Sequence, residues 1–406
     1  MTPGSATPAA AGPDRQLLRN PVQHFRHLDA ATQAALFFRS PSPVDPNGDL
    51  ASVATALGAT LYMPATRQDL TATLVKRSTE GVCSLVIDLE DAVADDNLEE
   101  AIGNTVATLD ELHLSDDLGS LVFVRARTPE QIRRISKEVA HGARALSGFV
   151  VPKFTAARGA SFLDEIAAAS DVHGKRLFAM PVLESREVLF RETRDAELMA
   201  IRELLVAHRD RILAVRIGAT DMCGTFGIRR DRDLTIYDVR VVADAISAIV
   251  NHLGRSGDSG FVITGPVWEY FADHERMFRP MLRQTPFVEH EAVRFRQQLV
   301  SSDLDGLLRE VALDRANGIQ GKTVIHPSHV PAVHALSAVT HEEYHDALDI
   351  LESNSGGVRP SGYRNKMNEL GPHRNWARQT MLRANAFGVT NEGITFVDLL
   401  TALAGR

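Results

Sequence analysis

From residue 60 onward the chain repeats one rhythm. A short apolar run ends in polar or charged residues, and a longer stretch with helical spacing follows. The runs are TLYMPAT (60–66), SLVIDLED (84–91), SLVFVRA (120–126), GFVVPK (148–153), RLFAMPVLES (176–185), ILAVRIGATD (212–221), GFVITGPVW (260–268) and KTVIHP (322–327). Continuous apolar runs rich in β-branched residues suit parallel strands buried on both faces. The segments between them are long enough for crossover helices, and DNLEEAIGNTVATLDEL (96–112) is a good example. Eight such units between residues 60 and 327 predict an α/β fold of the (β/α)₈ TIM-barrel type. A doubly wound open sheet shares the rhythm, but no G-x-G-x-x-G follows the first run.

The flanks read differently. Residues 1–55 form an N-terminal extension whose first 15 residues, rich in Pro, Ala and Gly, are expected to be disordered. The barrel is assigned to 56–339. The long gap before its last strand predicts an extra helix over PFVEHEAVRFRQQLVSS (286–302). Residues 340–406 alternate helical patterns with a turn-rich GGVRPSG (356–362) and are expected to form a C-terminal helical appendage, a lid by this reading.

Composition narrows the function. Of 406 residues, 44% are hydrophobic and 24% charged, which is ordinary for a globular chain. The net charge of −8, without a long basic run, argues against a nucleic-acid surface. An anionic substrate must then be drawn in by a few placed cations or a metal. Two cysteines, Cys83 and Cys223, make neither a disulfide framework nor a zinc site. No leader-like segment and no apolar run of membrane-spanning length is present, so a cytoplasmic setting away from membranes is expected.

In barrels the chemistry sits at the C-terminal ends of the strands. The runs end in Arg67, in Asp88, Glu90 and Asp91, in Arg125, Lys153, Glu184 and Asp221, in Trp268 with Glu269, and in His326. Glu184 and Asp221, delivered by neighbouring strands, would repel each other unless a cation lay between them. Oxygen ligands with room for waters favour Mg²⁺, with Mn²⁺ the alternative. The competing reading makes Asp221 a helix N-cap and Glu184 a surface residue. Arg125 needs an anionic partner, which is either a substrate carboxylate or Glu90 and Asp91. Lys153 is read as a charge partner at the rim and, with Arg67, as a substrate contact; a Schiff-base role is the alternative. His326 and Cys223 are read as structural. Gly218, just ahead of Asp221, is read as allowing a tight turn.

In that order, LYMPAT, VIDLEDAV, VFVRA, VVPK, MPVLES, RIGATDMCG and GKTVIHP resemble the HpcH/HpaI aldolase and citrate lyase beta-subunit family, which includes malyl-CoA and citramalyl-CoA lyases. The resemblance runs over about residues 60–350. It implies a Mg²⁺-dependent TIM-barrel lyase that cleaves or forms a carbon–carbon bond in a 2-keto or 2-hydroxy carboxylate. By the same resemblance Glu184 and Asp221 bind the metal, Arg125 binds the substrate carboxylate or enolate, and Glu90 and Asp91 contact metal-bound waters. The sequence departs from the family at Pro64-Ala65, where Pro-Gly is usual, and at His329, where Gln is common. The Lys and Ala-Arg usual after the acidic motif are absent, and Glu369 alone stands near the usual acidic lid position. These departures leave use of a CoA thioester open. GPVWEYF (265–271) and KMNELGPHRNWA (366–377) are similar to a subgroup of TIM-barrel C–C bond lyases associated with tellurium-resistance gene clusters. Analogy with similar barrels implies a homo-oligomer. Rival readings are a thioester hydrolase, an enolate-forming isomerase, and a non-catalytic barrel acting as a partner protein.

Overall fold

The structure is a computed structural model that describes residues 20–115, 118–140, 144–257, 259–271, 302–353 and 357–404. The expected disorder at the N-terminus and residues 286–301 of the expected extra helix lie outside these residues.

The strands, in chain order, are β1 (Phe37–Arg39), β2 (Ala59–Pro64), β3 (Ser84–Asp88), β4 (Leu121–Arg125), β5 (Leu146–Val151), β6 (Phe178–Leu183), β7 (Val215–Ile217), β8 (Ile263–Gly265), β9 (Gln320–Val324), β10 (Val358–Pro360), β11 (Met367–Glu369) and β12 (Val389–Thr390). β2 to β9 pair in parallel, each with the next, and β9 pairs back onto β2, closing the barrel. Each of the eight apolar runs supplies one barrel strand. Their side chains are almost wholly buried because one face fills the barrel and the other meets the helices.

The crossover helices begin with the caps their sequences offer. Thr128 caps Pro129–Glu138, with proline at the first helical position, and Thr155 caps Ala156–His173. The helix Leu98–Leu112 buries Ala101, Ile102, Thr105, Leu109 and Leu112 along one stripe.

The two chain ends meet. β1 pairs antiparallel with β12, with Phe37 opposite Thr390. Val22, Phe25, Phe37 and Leu57 share one core with Phe387, Leu399 and Leu400 and with barrel residues Val86, Phe123 and Met180. Residues 20–55 of the extension and the last helix (Phe396–Ala404) therefore cover apolar surface at the N-terminal end of the barrel, away from its mouth. Helices His341–Glu352 and Arg374–Phe387 pack on each other through Ala347, Ile350 and Ala377. Among the described residues, none from 340 to 404 lines the mouth cavity. Glu369 lies on the β10–β11 hairpin, exposed, also outside that cavity. No helix of the described residues is long and apolar enough to cross a membrane.

Candidate active site

The C-terminal ends of the strands enclose a cavity of about 380 Å³ whose lining includes Tyr62, Asp88, Asp91, Arg125, Glu184, Arg216, Asp221, Glu269 and Thr323. Glu184 follows β6 and is buried. Its Oε1 accepts the backbone N–H of Lys153 at 2.7 Å. That bond is aimed by an unusual backbone, since Lys153 has a left-handed φ of +49°. Gly218 explains why the carboxylate fits. A Cβ there would lie 1.7 Å from Glu184 Oε2. The glycine is needed for this close approach; its φ of −98° demands no special turn, which corrects the expectation from sequence.

Asp221 comes from the short helix Ala219–Thr225, which starts directly after β7. Its cap is Gly218, so Asp221 is not the N-cap, and its side chain is about one-third exposed toward the cavity. Glu184 is not a surface residue either. Burial first, and then the charge of Asp221, pushes its carboxyl up to about 8. Burial and the nearby Asp91 likewise raise Asp221.

The acidic motif lies opposite. Arg125 grips Asp88 with two hydrogen bonds, Nε to Oδ1 at 2.6 Å and Nη2 to Oδ2 at 2.5 Å. Its Nη1 lies 2.9 Å from Glu90 and 3.2 Å from Asp91. The ion-pair alternative for Arg125 is therefore present, and the guanidinium still lines the cavity. Burial, and after it the hydrogen bond with Asp91, raises Glu90. Burial also works against ionisation of Asp91, but the hydrogen bond with Glu90 and the positive Arg125 and Lys153 outweigh it and hold Asp91 low. Lys153 Nζ lies 2.5 Å from Glu90, 3.6 Å from Asp91 and 4.0 Å from Asp221. Although burial disfavours its charge, these carboxylates raise its pKa, the reverse of what a Schiff-base amine requires.

Five carboxylates (Asp88, Glu90, Asp91, Glu184 and Asp221) thus face two cations at this level of the mouth. The donors are all oxygen, and Glu184 resists ionisation without further positive charge. This set fits a hard divalent cation that takes one or two carboxylates and keeps several waters. Among the described residues, no three His, Cys, Asp or Glu side chains converge closely enough to hold an ion unaided. Water must complete any shell.

Sequence reasoning misplaced one residue and missed others. Arg67 does not line the mouth cavity; it is half-exposed and paired with Asp69 at 2.6 Å and Thr73 at 3.0 Å, because the β2 loop turns it outward. Cys223 is buried, with its thiol pushed up by burial, as a packing residue should be. His326 bonds Ser328 and stacks on Phe271 outside the cavity lining. Arg127 was overlooked. It donates to the carbonyls of Leu89, Glu90 and Val93 and so fixes the acidic loop. Its position two residues after Arg125, past the strand end, was the available signal. Arg216 was overlooked because it lies inside the run ILAVRIGATD, where strand identity masked its direction.

The family of C–C bond lyases of the TIM-barrel fold matches residues 51–389. The chain belongs to that family. A citrate lyase from Burkholderia xenovorans LB400 superposes on this chain with a TM-score of 0.59 and 16% identity, covering 84% of this chain and 96% of its own. The CitE protein from Mycobacterium tuberculosis, in complex with magnesium, acetoacetate and coenzyme A, gives 0.50 and 18%, covering 82% and 99%. At such identities the likeness establishes the shared barrel. No curated protein sequence matches the chain.

Proposed function

We propose that this C–C bond lyase uses Mg²⁺, held by Glu184 and Asp221, to cleave or form a carbon–carbon bond in a small 2-keto or 2-hydroxy carboxylate. The convergence of these two carboxylates at the mouth, with Glu184 held protonated up to about 8 by burial and by Asp221, carries the reading. The magnesium ion bound in the CitE structure supports the choice of metal. Once bound, Mg²⁺ supplies Lewis-acid stabilisation of the negative charge that develops as the bond breaks.

The chain's own residues do the rest. Glu90 and Asp91 lie beside Lys153 and Arg125 at the mouth and would accept hydrogen bonds from waters around the ion. Asp88 fixes Arg125 so that its Nη1 edge faces the cavity, where it anchors the substrate carboxylate and opposes developing charge. Lys153 has two parts in this arrangement. Its N–H orients Glu184, and its ammonium balances Glu90. Product analysis separates this reading from thioester hydrolysis and enolate-forming isomerisation, because cleavage yields two carbon fragments.

Asp221→Ala tests the proposal. The variant should keep its circular-dichroism spectrum and lose Mg²⁺-dependent cleavage by about a hundredfold to a thousandfold, the scale of removing a catalytic electrostatic group. Full metal-dependent activity in that variant removes the proposal.

A further inference from the structure

Four cationic side chains are buried to less than one-tenth exposure among the described residues: Arg194, Arg216, Arg230 and Lys322. Three of them meet carboxylates. Arg194 reaches Asp244 at 2.8 Å, Arg230 pairs with Glu310, and Lys322 lies 2.7 Å from Glu310 and 2.6 Å from Asp314. Arg216 does not. Its Nη2 donates to Thr323 Oγ1 at 2.5 Å and its Nη1 to Thr60 Oγ1 at 3.4 Å. Its guanidinium carbon lies 5.5 Å from the centre of the Tyr62 ring. Among the described residues no carboxylate comes within ion-pair distance. A guanidinium does not shed its proton at ordinary pH, so this is a buried, uncompensated charge. Such a charge is costly unless something anionic joins it.

Its location says what that partner is. Arg216 projects from β7 into the barrel and lines the floor of the cavity whose wall carries Glu184 and Asp221. In the β6–β7 ladder Arg216 is opposite Val182, two residues before Glu184. At the rise of a parallel strand that is about 7 Å deeper along the barrel. Tyr62 stands between the two levels, its ring 5.3 Å from the Arg125 guanidinium carbon and 5.5 Å from that of Arg216. An apolar floor would suit a substrate ending in a methyl group. This floor instead offers a planar fork and the hydroxyls of Thr323 and Tyr62.

We propose that Arg216, with Tyr62 and Thr323, forms a second anion subsite on the cavity floor, which receives a carboxylate at the far end of the substrate and so selects diacids over monoacids. The inference rests on the proposed metal site only for where the near end of the acid binds. The subsite itself is tested without it.

Calorimetry on the Mg²⁺-loaded full chain compares oxaloacetate with 2-oxobutanoate, which differ by a terminal carboxylate against a methyl group. Metal-free protein is titrated with succinate and with butyrate. A charge-assisted pair at a buried guanidinium predicts a preference for the diacid of about tenfold or more in both comparisons. Arg216→Met should bring the ratio close to one and leave Mg²⁺ affinity unchanged. Its melting temperature should hold or rise, because an unpaired buried charge is gone, whereas a purely structural arginine would lower it. If Arg216→Met fails to fold, Arg216→Lys keeps the charge, drops the fork, and must lower the ratio at least about threefold. No diacid preference in the metal-free wild type, or a preference that survives the substitution, overturns the subsite. Loss of the preference only in the metal-loaded comparison points to the metal-site reading as the failure.

Discussion

Glu184 is the residue on which the chemistry turns, and its environment makes it measurable. Burial and the charge of Asp221 keep it protonated up to about 8. Its folded pKa lies above its ordinary value of 4.5. Its contribution to stability is therefore present in full below that value and is lost as pH rises through about 8. A metal that needs the carboxylate must expel the proton. Mg²⁺ binding near pH 7 is accordingly expected to release about one proton and to weaken roughly tenfold per pH unit below 8. Calorimetry in buffers of different ionisation enthalpy reads both effects, and Glu184→Gln should abolish them. An affinity that stays flat between about pH 6.5 and 8.5 contradicts the assignment. None of this was visible in MPVLES. The run locates the carboxylate at a strand end, but the bond from Lys153 and the contact with Gly218 arise only when β5, β6 and β7 are side by side.

At the scale of elements, a buried network ties the last β/α unit to the loops at the mouth. Lys322 on β9 meets Glu310 and Asp314 of the helix Ser302–Ala316. Glu310 accepts from Arg230 and from the N–H of Ile236, and Tyr237 donates to Asp314 at 2.7 Å. Arg230 also donates to the carbonyl of Val267, beside Trp268 and Glu269. Lys322→Met would leave Glu310 with Arg230 and Asp314 with the Tyr237 hydroxyl, two buried carboxylates facing one cation. It is expected to cost about 3–5 kcal/mol, read from urea unfolding. A loss below about 1 kcal/mol would show that the network gives no net stabilisation. Element identity was easy to read from periodicity and element length was not. The ten-residue run 212–221 contains a strand of only three residues, because the chain turns into a helix at Ala219 and carries Asp221 with it.

Over the whole molecule, the two chain ends close the N-terminal end of the barrel around a pair of buried histidines. The His24 ring stacks on Phe387 at 4.1 Å and meets His334 edge-on at 4.5 Å. Burial lowers His24 to about 4 and holds His334 well below 6.5. Both folded values lie under the ordinary one. Their contribution is therefore complete above pH 6.5 and is lost as pH falls toward 4. The melting temperature should drop steadily from about pH 6.5 to 4.5, and His24→Gln should flatten that slope, since the amide cannot charge. A wild-type melting temperature indifferent to pH over this range argues against burial of the neutral pair.

The sequence by itself determined the barrel, the strand that each apolar run becomes, and the rim where charged groups gather. Those follow from local periodicity and from the rule that strand ends carry the chemistry. Only the tertiary structure decided which rim residues share a cavity, how Arg125 divides itself among Asp88, Glu90 and Asp91, that Arg67 turns away, and that Arg216 has no carboxylate partner among the described residues. The physical reason is that direction and distance between side chains on different strands are set by register and closure. Neither is written in any single run.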